Sequence, residues 1–132
     1  TQAGIVEKAT QAEMNAGTAN VWPDAATIFN GFSLTTNTLV LPAFMGSKTF
    51  KWGQVVLPDN TGIDDLITVT FPQPFPDSLD VVLITTGNTL GLGRNRFILH
   101  LASQNTSGFT AWYTELDNVV QEGFINWFAI GN

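Results

Sequence analysis

Two short acidic segments carry the side chains best suited to acid–base chemistry. They hold six carboxylates: Asp59, Asp64, Asp65, Glu115, Asp117 and Glu122. A glycosidase needs two carboxylates about 5–9 Å apart, one of them with a raised pKa. Asp is also a common residue of solvated turns, and nothing in the sequence marks one of these groups as buried. We therefore expect turn residues here and predict no catalytic residue.

Nucleophile and metal chemistry depend on few candidates. His100 is the single histidine, and no serine lies in a nucleophile-elbow pattern. The segment 59–65 is rich in oxygen ligands, as calcium loops are, but lacks EF-hand spacing. Alternation places His100 with Ile98 and Ala102 on one strand face, where three copies around a threefold axis could meet a metal. A hydrogen-bonded histidine is the simpler interpretation, so the sequence predicts no metal and no cofactor.

A glycine-rich segment and an aromatic pair are better candidates for binding. Residues 87–96 hold three glycines, but their spacing matches neither nucleotide-binding fingerprint, so a flexible tip loop is expected. Arg94 and Arg96 could grip an anionic sugar or a phosphate, or pair with a neighbouring carboxylate. Trp112 and Tyr113 are adjacent and must face opposite ways on a strand. One of them is expected to stack on a sugar or to lie in an interface.

The bulk composition excludes several classes of function. The net charge is −6 with only five Lys and Arg, which argues against nucleic acid and anionic membranes as partners. No apolar run is long enough to span a bilayer. Charged residues make up only 12% and hydrophobic residues 44%, which favours a homo-oligomer, with a compact neutral β-domain as the alternative. Because the chain begins with Thr, we expect a fragment or a processed product.

The first third of the chain has helical signals. Thr10 and Glu13 fit a capping box, and the helix that follows should end near Gly17. A second helix is predicted over 23–30, with Pro23 at its first position and Gly31 closing it. Its buried face should hold three residues: Ala25, Ile28 and Phe29. Helices this short need to pack on another element.

After Gly31 the signals change to β-structure. Seven short strands rich in Val, Ile, Thr and aromatic residues are predicted, over 34–41, 50–57, 66–71, 80–86, 96–102, 108–114 and 124–131. Their number and spacing indicate an antiparallel β-sandwich or barrel. Pro72–Pro76 should be an extended connector, because proline lacks the amide donor. The last strand is apolar on both faces, so we expect it to be covered on both sides.

Strand parity predicts which loops share an end of the sheet. If the last six strands run antiparallel in succession, the loops 58–65, 87–95 and 115–123 cluster at one end. The loops 72–79 and 103–107, with the C-terminus, lie at the other. The first set is longer and holds Arg94, with Arg96 directly beyond its end, and binding residues are commonly carried on such loops.

Two sets of motifs resemble a known family. Gly4-Ile-Val-Glu7 and the residues up to Thr18 resemble a short segment that precedes the receptor-binding tip of many bacteriophage tail fibres. Lys51-Trp-Gly-Gln54, Val69-Thr-Phe-Pro72 and Trp127-Phe-Ala-Ile-Gly131, together with Phe75-Pro76 and Ser107-Gly-Phe109, resemble the C-terminal β-domain of those fibres. The chain departs from the pattern at 38–49. Independently, Trp52–Gly53 has a structural interpretation, because glycine lets a ring approach closely.

The resemblance implies an intertwined homotrimeric tail fibre tip in the virion, joined to a fibre shaft and acting outside the host cell. It implies a short helical segment, 1–33, and a receptor-binding β-sandwich, 34–132. The function expected is adhesion to host polysaccharide or lipopolysaccharide; the alternatives are a polysaccharide-degrading fibre and a trimerisation cap. The candidate receptor-binding residues are Asn60, Asp64, Asn88, Arg94, Asn95, Arg96, Glu115, Asp117 and Asn118.

Overall fold

The computed structural model describes residues 7–18, 21–58, 64–88, 97–115 and 123–132. The chain forms two compact units, Thr1–Thr49 and Phe50–Asn132. The domain division expected from the sequence lies between residues 33 and 34. Of the helices in the described residues, none is long and apolar enough to cross a membrane.

The first helix of unit 1 follows the sequence prediction closely. Helix α1 spans Gln11–Ala16, with Thr10 as N-cap and a complete capping box with Glu13. The amide of Thr10 donates to the Glu13 carboxylate at 2.8 Å, and this hydrogen bond lowers the pKa of Glu13. Gly17 ends the helix in the left-handed region, with φ 66°. Both predicted boundaries are therefore confirmed.

The second helix starts later than predicted. Helix α2 spans Ala25–Phe29, and Asp24, not Pro23, sets its start, because the Asp24 side chain accepts from the Thr27 amide. Asn30 rather than Gly31 is the C-cap.

The predicted buried face of α2 is also wrong. Thr27 is the buried residue of this helix. Its hydroxyl donates a hydrogen bond to the Ala9 carbonyl at 3.3 Å. This hydrogen bond turns the Thr27 side of the helix inward and leaves Phe29 70% exposed. Lys8 pairs with Asp24 at 2.5 Å, and the hydrogen bond from Lys8 lowers the pKa of Asp24, with a further contribution from Thr27.

Unit 1 contains short strands that the sequence did not resolve. Strands β1, Glu7–Lys8, and β2, Val21–Trp22, pair in parallel. The single strand predicted over 34–41 is instead a hairpin of β3, Ser33–Thr35, and β4, Thr38–Val40. A turn at residues 36–37 interrupts the β pattern, and Asn favours such turns. Beyond β4, a 3₁₀ turn and a left-handed glycine occupy the segment that departs from the family pattern.

Unit 2 is built from six strands in two antiparallel sheets. The strands are β5 Thr49–Leu57, β6 Asp65–Thr70, β7 Leu79–Asn88, β8 Phe97–Asn105, β9 Gly108–Glu115 and β10 Gly123–Gly131. One sheet has the order β5-β10-β7 and the other β6-β9-β8. Six of the seven predicted strands are confirmed to within a few residues. The predicted mainly β fold is correct, and in the described residues the sheets form no closed barrel.

The register confirms the predicted clustering of strand ends. Asp65 pairs with Tyr113 and Phe97 with Glu115 at one end of the second sheet. In the first sheet, Asn88 pairs with Gly123.

The Tyr113 hydroxyl links this end of the two sheets by donating to the Pro58 carbonyl at 3.3 Å. At the opposite end, Phe75 donates its amide to Thr106, and Asn132 donates to Ser78. The residues 59–63, 89–96 and 116–122, which make up most of the three predicted tip loops, lie outside the described residues.

An aromatic cluster fills the core near the 72–76 connector. Phe71 lies 5.3 Å from both Phe75 and Trp127, measured between ring centroids, and Phe109 lies 6.1 Å from Trp127. Gly53 packs against the Trp127 indole so closely that an added Cβ would lie 2.6 Å from the ring. The motifs that resemble the C-terminal β-domain therefore contact one another as part of the core of unit 2.

A lysine is buried beside this cluster. Lys51 is 3% exposed. Its ammonium group donates to the Gln73 carbonyl and lies 4.2 Å from the Phe75 ring centroid. Burial lowers the pKa of Lys51. This cation holds the connector against β5.

The last strand has the two-sided apolar character that the sequence predicted. Ile125 and Ala129 are 0% exposed and face the core. Phe128 and Ile130 point to the outer face of the β5-β10-β7 sheet and are half-buried. On the same face, Val56 is 57% and Leu83 58% exposed. That outer face is therefore strongly apolar.

Candidate functional site

The outer face of the β6-β9-β8 sheet carries an unusual row of side chains. Trp112 on β9 is in register with Leu66 on β6 and with His100 on β8. Because side chains alternate along a strand, these three lie on the face opposite the buried Ala111 and Tyr113. The row is fixed by backbone pairing in three adjacent strands, which makes it a rigid platform.

An open pocket of about 620 Å³ lies over this row. Its described lining residues are Asp64, Ile98, His100, Trp112 and Thr114. The volume is within the range of small-molecule sites. The pocket therefore combines an indole with a carboxylate, a hydroxyl and an imidazole.

The apolar part of the pocket is open to solvent. Trp112 is 43% exposed and Ile98 is 55% exposed. An exposed indole face beside aliphatic side chains suits the stacking of an apolar ring face, whereas the polar groups around it can orient a bound molecule.

The polar part of the pocket is held by one internal hydrogen bond. The Thr114 hydroxyl donates to Oδ1 of Asp64. The neighbouring carboxylate, Asp65, faces the other side of the sheet, where its Oδ2 accepts from the Tyr113 hydroxyl at 3.3 Å. The two adjacent carboxylates therefore have separate roles: Asp64 lines the pocket, and Asp65 fixes a buried tyrosine.

Hydroxyl groups continue along the same sheet face. A smaller hollow of about 150 Å³ includes Thr68, Ser103 and Thr110 among its lining residues. The Ser103 and Thr110 hydroxyls are 2.6 Å apart. A register shift between Leu101 and Ser103 produces this pairing. The outer face is thus aromatic at one end and rich in hydroxyls at the other.

The structure describes only part of the predicted receptor-binding set. Asp64 lies in the pocket. Asn88 and Glu115 end β7 and β9 at the predicted tip end, and only their backbone is described. The other predicted residues lie outside the described residues: Asn60, Arg94, Asn95, Arg96, Asp117 and Asn118.

Of the adjacent aromatic residues Trp112 and Tyr113, the tryptophan is the one that faces outward. Tyr113 is 1% exposed, whereas Trp112 faces outward. His100, Ile98 and Thr114 were not predicted as site residues, although alternation had already placed His100 with Ile98. The missing signal was the cross-strand register, which brings β8, β9 and the residue before β6 together.

The described part of this pocket contains few titratable side chains. Among the residues that the structure describes, Asp64 is the single carboxylate that lines it. Within the same residues, no group of three or more metal-ligating side chains is found. His100 is exposed on the sheet surface.

Comparison with known proteins adds independent information. Residues 49–132 match the model of a family described as tail fiber protein gp53-like, C-terminal. A search of curated proteins finds no match.

Solved structures match more of the chain. A Pseudomonas aeruginosa R1 pyocin fibre aligns with a TM-score of 0.63 and 22% identity, over 84% of this chain and 32% of that one. A second structure, an N-truncated R1-type pyocin tail fibre, has the same TM-score and identity and is covered over 98% of its length. This chain therefore spans about a third of the longer pyocin fibre. At this identity the likeness concerns the fold.

Proposed function

Because the chain belongs to the gp53-like C-terminal tail fibre family, we propose that it is a receptor-binding module that attaches a phage particle to glycan on the host surface. The family resemblance expected from the sequence is confirmed by this match. The observation that carries the proposal of glycan binding is the pocket on the outer sheet face, where an exposed indole lies beside a carboxylate and a hydroxyl. Rigid elements such as sheets hold binding groups more accurately than loops do.

Adhesion through such a module is reversible and multivalent. A single open pocket makes few contacts, so the affinity of one copy for a glycan is expected to be low. Several copies on one particle raise the effective concentration and can increase avidity by about 10²–10⁴-fold. Host polysaccharide or lipopolysaccharide supplies repeated copies of the same sugar unit, which suits this mode of binding.

A homotrimer is part of this proposal. The outer face of the β5-β10-β7 sheet, with Val56, Leu83 and Phe128, is the surface best suited to a sister chain, because exposed apolar area of this kind is covered in oligomers. The N-terminal unit would connect this module to the fibre shaft in the virion.

The trimer can be tested by the mass in solution. Light scattering on the native protein should give three times the 14.3 kDa chain mass. Leu83→Asp should lower the mass, and Thr68→Asp, an exposed strand position on the outer face of the other sheet, is the matched control for added charge. A monomer at all concentrations would contradict the trimer.

The rival proposal is a polysaccharide-degrading fibre. We consider the chain a binding module rather than an enzyme, because glycoside hydrolysis requires a carboxylate pair, and the described pocket contains only Asp64. Purified bacterial polysaccharide incubated with the protein should show no new reducing ends. Sustained release of short chains would instead favour the enzyme.

A purely structural trimerisation cap is the third candidate. Fluorescently labelled protein should bind the surface of susceptible bacterial strains, and purified polysaccharide from the same strain should compete. A native-mass trimer that binds no strain in a broad panel and no polysaccharide on an array would favour the cap and overturn the receptor-binding proposal.

A further inference from the structure

We propose that the pocket of Asp64, Ile98, His100, Trp112 and Thr114 is a subsite for a neutral hexopyranose unit. The inference depends on the proposed function, because it names the class of sugar that the module recognises and moves the contact from the loops to the sheet face. Three features of the pocket support it: the orientation of the indole, the state of the carboxylate and the charge around both.

The indole is positioned as a stacking surface. Cross-strand neighbours on either side of Trp112, Leu66 and His100, restrict its sideways movement within the sheet face. It keeps 43% of its surface exposed. A pyranose presents an apolar face of C–H groups, and an aromatic ring in this setting can bury that face without losing hydrogen bonds.

The carboxylate is oriented but has remaining acceptor capacity. One oxygen of Asp64 accepts from Thr114. An ionised carboxylate offers about four lone-pair positions on two oxygens. Sugar hydroxyls are donors, so two adjacent hydroxyls on a ring stacked over Trp112 can donate to Asp64. The Thr114 hydrogen bond holds the carboxylate in place before the sugar arrives.

The Asp64 carboxylate favours neutral over acidic sugars. It is the one carboxylate among the described lining residues of the pocket, and Arg94 and Arg96 lie outside the described residues. A uronate or phosphate placed beside Asp64 would meet a like charge, which is unfavourable in a partly desolvated site. A neutral hexose avoids this cost.

A sister chain is the competing occupant of this surface. Covering the pocket with an apolar surface would remove water from Asp64, and burying a carboxylate without a new partner is costly. The opposite outer face, around Val56 and Leu83, offers an apolar surface without that cost. The geometry therefore favours a hydroxyl-rich ligand over an apolar sister chain on the Trp112 face.

The test uses the 132-residue protein and defined probes. The methyl glycosides of glucose, galactose, mannose and N-acetylglucosamine, with glucuronic acid as the acidic probe, would be titrated and followed by ligand-observed NMR and calorimetry. At least one neutral glycoside should bind, and glucuronic acid should bind on the order of tenfold more weakly or not at all. Trp112→Ala should weaken the neutral glycoside on the order of tenfold.

Matched variants separate stacking from a general effect. Trp112→Phe keeps an aromatic face and should retain most of the affinity. Asp64→Asn should weaken neutral binding and reduce the discrimination against glucuronic acid. Trp22→Ala removes a tryptophan that is 68% exposed in the other unit and should change nothing. Light scattering on each variant should give the wild-type mass.

Each contrary result has a distinct meaning. If the wild type binds a glycan and Trp112→Ala binds it equally well, this subsite is wrong while the proposed function stands. If Trp112→Ala changes the oligomeric mass, the face is a contact between copies and the subsite is again wrong. If the wild type binds no glycan or polysaccharide, the proposed function itself fails, and the subsite with it.

Discussion

Two tryptophans of unit 2, Trp127 and Trp112, occupy opposite environments. Trp127 is 7% exposed and lies in a cluster with Phe71 and Phe109. Trp112 is 43% exposed and lies on an outer sheet face beside a carboxylate. Trp127 lies in one of the motifs that carry the family resemblance and contacts others, whereas Trp112 lies in none of them. Under the proposed function, the family motifs and the ligand-binding side chains therefore belong to different parts of the same domain.

If Trp112 contacts the receptor as proposed, this difference would allow the domain to keep its fold while its receptor-binding side chains change. The Trp127 cluster joins β10, the connector and β9 through ring contacts, so its residues are constrained by packing. On the Trp112 face, the described constraints are the backbone register and hydrogen bonds between exposed side chains. Side chains there can change without loss of the core, which would suit the glycan-binding surface that we propose.

The largest effect should come from removing the buried ring. Trp127→Ala deletes an indole that contacts Gly53, Phe71 and Phe109, so the free energy of unfolding should fall by about 3–5 kcal/mol. Urea denaturation followed by circular dichroism measures it. Trp22→Ala, at an exposed site, is the control. A loss below about 1 kcal/mol would show that the cluster does not hold the sandwich together.

The close contact at Gly53 should give the next largest effect. A Cβ at this position would lie 2.6 Å from the Trp127 ring, so Gly53→Ala should cost about 1–3 kcal/mol of unfolding free energy through strain. Because the strain requires the ring, the same substitution in a Trp127→Ala background should cost much less. Additive losses in that double-mutant cycle would contradict the proposed contact.

Lys51 should make the stability of unit 2 depend on pH in the alkaline range. Burial lowers its pKa in the folded protein from 10.5, so between the lowered pKa and about 10.5 the unfolded chain binds more protons than the folded chain. Stability contributed by this group should therefore rise with pH across that window and level off above it. Denaturation curves at a series of alkaline pH values measure this slope.

Lys51→Met is the comparison for the pH dependence. The variant lacks the titrating group, so the difference in unfolding free energy between it and the wild type should change with pH in the same window. If the difference in unfolding free energy stays constant across the alkaline range, the pKa of Lys51 is not lowered in the folded protein.

The sequence predicted the scaffold better than the site. The capping box at Thr10, the strands of unit 2 and the terminal strand followed from local pattern and periodicity. The α2 start was missed because the Asp24 side-chain cap is stronger than the preference of proline for the first helical position. The Trp112 pocket was not predicted, because the row of Leu66, Trp112 and His100 depends on the register between neighbouring strands, and β6 is far from β9 in the sequence.

Substitution of Trp112 should have the smallest effect on stability. This difference distinguishes the outer Trp112 face from the buried Trp127 cluster. Trp112→Thr introduces a β-branched residue, which suits a strand, and removes cross-strand contacts on an exposed face, so it should cost about 1 kcal/mol or less. Its melting curve should therefore stay close to that of the wild type, whereas adsorption to susceptible cells should fall. Such a variant would be folded but poor in binding. Retained adsorption with an unchanged fold would place the receptor contact elsewhere on the module, and a loss of stability as large as that of Trp127→Ala would mean that the outer face belongs to the scaffold as well.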